Sequence, residues 1–407
     1  MEVVYERCCG MDVHKDIIVA CIISGEKREI RSYATVTEAL IELVDWLKEE
    51  GCQAAAMEST GPYWKPIYNL LELEGMDVLV VNAQHIKAVP GRKTDVKDSE
   101  WIADLLRHGL LKGSYIPNRD QRELRELIRY RRSIIEERAR ELNRVQKILE
   151  GANIKLSSVV SRIDGVSSRA MIESLIEGKE DVNAIASLAR GRMKGKTEDL
   201  QKALRGLMGS HQRMILEEML RHIDYLDATI CRLDEEVKER MRPFESEVVN
   251  LDAIAGVGER SAQTIIAEIG TDMSVFPTEN HLASWAGMCP GNNESAGKKK
   301  SGKTRRGSKS LRSTLVECAK AASRSKSSYL SAQYSRIAAR RGRNRACVAV
   351  GHTILIIAYH LLKDKSEYKD LGADYFDKRR KQDVVRRAVK RLEALGLKVT
   401  VEEQQTA

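Results

Sequence analysis

Val89-Pro-Gly-Arg-Lys-Thr-Asp-Val-Lys-Asp-Ser-Glu-Trp-Ile-Ala-Asp-Leu-Leu-Arg-His-Gly109 is the stretch around which the chain is organised. Its Pro-Gly pair is typical of a turn, and the apolar residues that follow recur at the spacing of a helix. Asp95 and Asp98 lie three residues apart at the start of this helix and so share one face. Two carboxylates this close repel one another unless a cation or a proton lies between them. Because a pair of helix-capping residues explains the same spacing, carboxylates from other segments must decide between the two interpretations.

The composition is that of a globular protein with an excess of positive charge. The 407 residues are 42% hydrophobic and 31% charged, and the formal net charge of +9 favours a polyanionic partner such as nucleic acid. The eight cysteines include no Cys-x-x-Cys pair, so neither a zinc ribbon nor a redox pair is indicated. We expect no signal peptide, apolar runs too short to span a bilayer, and a cytoplasmic protein with no membrane partner.

Residues 1–112 predict a first domain built on a mixed sheet. Three β-rich segments come first, and two further strands then alternate with helices. The order of three strands, helix, strand, helix, strand, helix is that of a ribonuclease-H-like fold. In such a sheet Asp12 lies on the first strand and Glu58 at the carboxyl end of the fourth. Asp95 and Asp98 stand on the helix packed beside them, so that four acids from three distant segments converge.

This convergence favours a metal site. An aspartate between apolar neighbours, as in Gly10-Met-Asp12-Val, is costly to bury without a partner. Mg²⁺ fits because hard carboxylate oxygens suit a hard cation. Two ions about 4 Å apart can activate a nucleophile and stabilise a leaving oxygen on a phosphate. The alternatives are a turn residue at Asp12 that caps nearby amides and a solvated strand end at Glu58.

Three motifs around these acids resemble the signatures of a known family. They are Met11-Asp12-Val-His-Lys15, Met57-Glu58-Ser-Thr-Gly-Pro-Tyr63 and Gly91-Arg-Lys-Thr-Asp95-Val-Lys-Asp98. They look like those of the DEDD transposases of the insertion-sequence 110 family, which have an N-terminal RuvC-like domain. The resemblance implies a carboxylate tetrad of Asp12, Glu58, Asp95 and Asp98. Ser99 stands where the family pattern has Ala, a change that we expect to leave metal ligation intact.

The middle region, residues 113–245, is predicted to be helical. Pro117 and Asn118 open a long helix with a coiled-coil-like seam that Arg131 and Arg138 interrupt. A second long helix covers residues 210–240. The two helices predict either an antiparallel pair or an intermolecular coiled coil, and a linker without a partner is the alternative. Comparison with the family favours dimer contacts and a role in spacing the catalytic domains, but it explains least about the insert at 155–208.

Residues 246–363 predict a third, mostly helical domain. A Gly-x-Gly between two apolar helical runs, Leu251–Ser261, resembles a helix-hairpin-helix, although a plain interhelical turn is nearly as good an explanation. The stretch from Leu282 to Arg312 is predicted to be a flexible loop because it is rich in Gly and Ser. It has eight basic residues and no acid after residue 297, which suits a phosphate backbone. These are Lys298, Lys299, Lys300, Lys303, Arg305, Arg306, Lys309 and Arg312. A solvated basic loop is the alternative.

The residues themselves do not single out one serine of this loop as a nucleophile. Ser295, Ser301 and Ser308 are equivalent candidates by composition, and no histidine lies within ten residues of Ser295. The family resemblance separates them. Trp285-Ala-Gly-Met-Cys-Pro290 and then Glu294-Ser295-Ala-Gly297 look like the C-terminal transposase domain of the same family. In that domain the serine at this position attacks the DNA phosphate and forms a covalent phosphoserine link. Ala296 replaces the usual Gly but leaves the nucleophile intact.

Together these features predict a DNA transposase or recombinase of an insertion sequence, resembling the family over about residues 8–150 and 246–363. The resemblance implies Mg²⁺, donor and target DNA, a structured bridge RNA as guide, and a homo-oligomer, either a dimer or a tetramer built from dimers. Ser295 can act within its own subunit or on another, and we expect the protein at the nucleoid. The tail, 364–407, predicts a basic helix and a strand at 397–401. The alternatives are a RuvC-like nuclease that uses water as nucleophile and a non-catalytic nucleic-acid-binding protein.

Overall fold

The computed structural model describes residues 2–59, 61–82, 86, 98–290, 293–295, 298–301, 304, 307–379 and 381–401. The chain divides into two units, Met1–Pro117 and Asn118–Ala407, which are described in turn. Asp95 lies outside the described residues, as do three members of the basic run, Lys303, Arg305 and Arg306. For residues 293–295 and 298–301 the description covers the backbone.

A five-stranded mixed sheet forms the centre of the first unit. Its strands are β1 (Arg7–Val13), β2 (Ile17–Ser24), β3 (Lys27–Ala34), β4 (Ala54–Glu58) and β5 (Asp77–Val81). Their order across the sheet is β3-β2-β1-β4-β5. β2 pairs antiparallel with β1 and β3, whereas β4 pairs parallel with β1 and β5. The predicted ribonuclease-H-like mixed sheet is confirmed.

The helices of the first unit cover both faces of this sheet. Among the described residues these are α1 (Thr37–Glu49), α2 (Trp64–Leu73) and α3 (Asp98–Arg107). Because side chains alternate along a strand, Met11 and Met57 pack with α1 and α2 on one face, while Cys8, Ala54 and Ala56 pack with α3 on the other. The small residues on the second face let α3 lie close to the strands.

The second unit begins with two long helices separated by a small helical insert. The helices, in chain order, are α4 (Arg119–Gly151), then α5 (Leu156–Val159), α6 (Val166–Ile176), α7 (Val182–Ala186) and α8 (Thr197–Leu204), then α9 (Ser210–Met241). Asn118 caps α4 by accepting a hydrogen bond of 3.0 Å from the amide of Gln121, so the helix begins where the sequence predicted. The insert has its own hydrophobic core, which it shares with the adjoining ends of α4 and α9.

The two long helices form an antiparallel pair within one chain. Arg240 lies 3.0 Å from Glu123 at one point of the pair, and Arg131 lies 2.9 Å from Asp234 further along. Of the two arrangements predicted, the antiparallel pair is therefore observed. The arginines that interrupt the apolar seam connect the helices, because Arg131, only 2% exposed, also donates to Gln263 and Arg138 bonds to Asp227 and Asp164.

The rest of the second unit is mostly helical, as predicted. Its elements are α10 (Glu245–Asp252), α11 (Glu259–Ile269), α12 (Glu279–Trp285), β6 (Asn293–Ser295), β7 (Lys298–Ser301), α13 (Lys309–Ala322), α14 (Tyr329–Arg341), α15 (Arg343–Asp364), α16 (Tyr375–Arg379) and α17 (Lys381–Glu393). Gly256, in the turn between α10 and α11, has φ +87°, and a Cβ there would meet the α13 backbone at 2.4 Å. This close packing favours a structural interhelical turn at that position.

Two sequence-based expectations about secondary structure are wrong in this region. The Gly- and Ser-rich stretch after α12 is not a loop throughout, because β6 and β7 pair as antiparallel strands through their backbones. The predicted strand at 397–401 is absent, and those residues have no regular structure.

α15 has the length and hydropathy to cross a bilayer, although just over half of the apolar window is buried inside the protein. Core helices of globular proteins pass the same test, and Ile354, Leu355 and Ala358 are fully buried here.

Candidate active site

Asp12 and Glu58 lie side by side at the ends of two parallel strands. Met11 on β1 is the register partner of Met57 on β4, so each acid is the next residue along its strand. Both Met side chains point to the face covered by α1 and α2. Because side chains alternate, Asp12 and Glu58 belong to the opposite face, which α3 covers.

The start of α3 lies at this same end of the sheet because α3 runs antiparallel to β1. The amide of Val4, before β1, donates to the carbonyl of Arg107 at the end of α3, at 2.8 Å. Further along β1, the Cys8 Sγ donates to the carbonyl of Ala103 at 3.5 Å. Continuing this progression brings Asp98, the first residue of α3, beside the carboxyl ends of β1 and β4. Three of the four predicted acids therefore lie at the same end of the sheet, although they come from distant parts of the sequence.

Gly10 allows this close approach. A Cβ built on Gly10 would lie 2.2 Å from the carbonyl oxygen of Ser99 and 2.2 Å from the amide of Ala103. Only a residue without a side chain lets the first turn of α3 sit directly on β1, two residues before Asp12. Ser99, which stands where the family pattern has Ala, is 1% exposed, and its hydroxyl has no hydrogen-bond partner among the described residues.

The carboxylates at this end remain open to solvent. The Asp12 side chain is 21% exposed and accepts a hydrogen bond of 3.1 Å from the ring of His14, while Asp98 is exposed and Glu58 half-buried. Carboxylate oxygens at an accessible edge are the donor set that a hard divalent cation needs. Within the described residues no cluster of three potential ligands meets the geometry of a metal site, and the predicted fourth ligand, Asp95, lies outside them.

In the second unit, Ser295 ends β6 and is the register partner of Lys298, the first residue of β7. The segment that contains β6 and β7 is fixed at the end next to α12. Pro290 forms an isolated antiparallel bridge with Thr304, and Gly307 fits against the backbone of Ala286 and Gly287, where a Cβ would be 2.4 Å from the nearest atoms. The short strands are thus tied to the end of α12.

Ser308 is the third fixed point of this segment. Its hydroxyl caps α13 by accepting from the amide of Leu311 at 3.2 Å, and it donates to the Glu268 carboxylate at 3.0 Å. Glu268 is 1% exposed and is paired with the guanidinium of Arg129 through bonds of 2.7 and 2.8 Å. Burial raises the pKa of Glu268, but Arg129, Arg125 and Ser308 outweigh it and hold the pKa below its usual value.

An imidazole lies at the base of the same segment. His352 on α15 has its Nε2 4.0 Å from the Sγ of Cys289, which comes six residues before Ser295. Burial lowers the pKa of His352, so the ring is neutral at pH 7. This histidine was not found from the sequence because it lies on a helix, more than fifty residues from Ser295 in the chain.

Two family models match this chain, one over the part that contains the carboxylates and the other over the part that contains Ser295. The DEDD model of the IS110 type, described as a transposase, matches residues 9–154. The model of the transposase IS116/IS110/IS902 family matches residues 249–335. Together they cover more than half of the chain. The protein belongs to the IS110 family of DEDD transposases.

Curated relatives agree with this assignment. The transposase is 23% identical over 370 residues to the "Transposase for insertion sequence element IS1111A" of Coxiella burnetii, covering 89% of this chain and 91% of the relative. It is 26% identical over 335 residues to the "Putative transposase y4qE" of Sinorhizobium fredii, covering 77% and 71%. The transposase is therefore an enzyme whose substrate is DNA, which accounts for the polyanion expected from its net charge.

Several residues that shape the candidate site were not recognised from the sequence of the transposase. Gly10 and Gly307 were not singled out, although each permits a backbone contact that no other residue allows. Glu268 was missed as well, and its signal was a single acid within the apolar run Ile265-Ile-Ala-Glu-Ile269. Of the predicted nucleic-acid-binding residues whose side chains are described, Lys309 is exposed and Arg312 is half-buried, both in the first turn of α13.

Proposed function

We propose that this transposase cuts and rejoins DNA strands through a covalent phosphoserine intermediate, with Ser295 as the nucleophile. Asp12, Glu58, Asp95 and Asp98 bind Mg²⁺, two ions in each site. Bound there, the ions supply activation of the scissile phosphate and charge stabilisation of the leaving 3′ oxygen. The observation that carries the proposal is the shared end of β1, β4 and α3 at which Asp12, Glu58 and Asp98 lie.

The bond changes of the proposed step balance without a further reactant. The Ser295 Oγ loses its proton as it bonds to phosphorus, and the bond from phosphorus to the 3′ oxygen breaks. The 3′ oxygen takes up a proton and leaves as a hydroxyl, while the 5′ phosphate stays on the serine. In rejoining, the 3′ hydroxyl of another strand attacks the phosphoserine, and Ser295 regains its proton.

The surroundings of Ser308 and Ser295 support Ser295 over Ser308. Ser308 is occupied in capping α13 and in bonding to the buried Glu268, so its hydroxyl serves the fold. The register of β6 and β7 pairs Ser295 with Lys298 at the start of the basic run, where a scissile phosphate meets positive charge. The residues proposed to hold that DNA are the eight basic residues from Lys298 to Arg312.

The remaining assignments extend this proposal. Residues 1–112 form the RuvC-like catalytic domain, 113–245 the helical spacer with its insert, 246–363 the serine domain, and 364–407 a basic tail. A structured bridge RNA selects donor and target DNA. The protein works at the nucleoid as a dimer or tetramer, in which Ser295 reaches the carboxylates of its own or another subunit.

A covalent-trapping experiment tests the serine step. The transposase, with its RNA if one copurifies, is incubated with Mg²⁺ and 5′-extended labelled DNA, and adducts that resist denaturant are mapped by mass spectrometry. We expect a nucleotide on Ser295, absent in Ser295→Ala and present in the matched Ser301→Ala variant. Cleavage that leaves a free 5′ phosphate and no adduct would favour the nuclease that uses water. Sequencing the RNA that copurifies with the protein tests the guide.

A further inference from the structure

A second concentration of positive charge lies away from the basic run. From residue 318 to residue 363 the sequence contains nine Lys and Arg and no acid. Five of the arginines fall on α14 and the first turn of α15 or between them, namely Arg336, Arg340, Arg341, Arg343 and Arg345. The transposase function described above assigns them no role, and any neutralising charge must come from elsewhere in the chain.

The C-terminal tail docks against this surface through aromatic rings. Phe376 on α16 stacks on Tyr329 at a centroid distance of 5.1 Å, with 16° between the ring planes. The Arg336 guanidinium lies 5.3 Å from the Phe376 ring and 2.9 Å from the Asp377 carboxylate. In the chain before α16, the Asp370 carboxylate accepts a hydrogen bond of 2.9 Å from the amide of Tyr329. These contacts fix the tail alongside α14.

Docking creates a cavity of about 750 Å³, and four of its seven lining residues are arginines. Its lining side chains are Gln333, Arg336, Ile337, Arg340, Phe376, Arg379 and Arg387. Arg336 is neutralised by Asp377, and the nearby Asp383 is engaged by Arg386 at 2.6 Å. In the described part of the chain no carboxylate pairs with Arg340, Arg379 or Arg387. Three uncompensated positive charges therefore face one space contributed by α14, α16 and α17.

We propose that this arginine cavity is a second DNA-binding site, which holds the phosphodiester backbone. Like charges that converge repel one another unless an anion lies between them, and guanidinium groups match phosphate oxygens through paired hydrogen bonds. Tyr329 stacks on the Phe376 ring and the Arg336 guanidinium lies 5.3 Å from its centroid, so the ring is already engaged by groups of the protein. The contact is consequently with the backbone and independent of base sequence. The proposal rests on DNA as the substrate and on no part of the serine mechanism.

Binding to DNA at increasing salt concentration tests the cavity. The full chain is titrated, in a chelator that prevents cleavage, against a fluorescent duplex of mixed sequence. The variant removes three charges by Arg340→Gln, Arg379→Gln and Arg387→Gln. The matched control removes three exposed charges of the insert by Arg192→Gln, Lys194→Gln and Lys202→Gln. A lysine version of the cavity variant retains the charge.

We expect the cavity variant to bind the duplex at least about tenfold more weakly at 0.15 M salt. We also expect the slope of a plot of the logarithm of its association constant against the logarithm of the salt concentration to be shallower by about two to three. The control and the lysine version keep the wild-type slope. Arg340→Gln alone, which leaves the tail untouched, lowers the slope by about one. An equal loss in cavity variant and control, or no loss in either, would overturn the proposal. A loss seen with an RNA hairpin but not with the duplex would overturn it in favour of an RNA site.

Discussion

The hydroxyl of Ser308 donates a hydrogen bond of 3.0 Å to the carboxylate of Glu268, a residue that is 1% exposed. This bond joins the end of the basic run to α11, and through Arg129 it joins both to the long helix α4. The segment that carries Ser295 therefore ends on an ion pair whose carboxylate is buried, which suits a nucleophile that must be held in a fixed direction.

Substitutions of Ser295 and Ser308 should affect different properties of the protein, the first its reaction with DNA and the second its stability. Ser308→Ala removes a helix cap and a bond to a buried charge, so we expect the free energy of unfolding to fall by about 1–2 kcal/mol. Adduct formation with DNA should persist below the unfolding temperature. Ser295→Ala should lose the adduct while its urea unfolding curve matches the wild type. If Ser308→Ala abolishes the adduct in folded protein, Ser308 has a chemical role that this interpretation denies.

The Glu268 ion pair should make stability depend on pH. Its pKa is lowered in the folded protein, so the ionised form stabilises the fold above the unfolded pKa of about 4.3, and that contribution is lost as pH falls through the folded pKa. Glu268→Gln removes the charge that the half-exposed Arg129 guanidinium pairs with and should cost about 1–2 kcal/mol at pH 7. We expect the difference from wild type in urea unfolding to shrink as the pH is lowered towards 3. A difference that is constant over this range would contradict the assignment.

The sequence predicted the sheet better than the serine segment, for a physical reason. The alternation of side chains along β1 and the small residues of β4 are local patterns. The strand order and the shared face of Asp12 and Glu58 could therefore be predicted from the amino-acid sequence. The bond from Ser308 to Glu268 joins residues forty apart, and no local pattern marks it. The pairing of β6 with β7 was missed because backbone hydrogen bonds form there in a segment of Lys, Ser and Gly, which have no strong preference for strands.

Gly10→Ala should separate α3 from the sheet. The added methyl group has no space at 2.2 Å from the Ser99 carbonyl, and overpacking of a rigid backbone contact costs about 3 kcal/mol. We expect a lower unfolding temperature and weaker DNA cleavage, because the start of α3 moves away from Asp12. Gly195→Ala is the matched control, since a Cβ there meets nothing within 4 Å. Equal stability of the two variants would show that α3 does not depend on this contact.

Thiol reactivity should follow the burial of the cysteines. Burial raises the pKa of Cys8 to about 11 and that of Cys52 to about 12, so both are protonated at pH 8 and react slowly. Cys231 is exposed on α9. We expect alkylation of the native protein at pH 8, followed by peptide mass spectrometry, to label Cys231 first. Cys231→Ser should remove the fast phase. Early labelling of Cys8 would mean that α3 opens from the sheet in the native state.

The carboxylates at the end of the sheet should be needed for cleavage but not for folding. Asp12→Asn, Glu58→Gln, Asp95→Asn and Asp98→Asn each remove a proposed ligand, and we expect strand cleavage in Mg²⁺ to fall by about a hundredfold or more. These acids repel one another in the absence of a cation, so the thermal stability of each variant in chelator should equal or exceed that of the wild type. Added Mg²⁺ should raise the melting temperature of the wild type and have less effect on the variants. Asp45→Asn, an exposed position on α1 at the other face of the sheet, is the matched control and should keep both responses. A variant of the tetrad that retains full cleavage and the full Mg²⁺ shift would remove that residue from the proposed site.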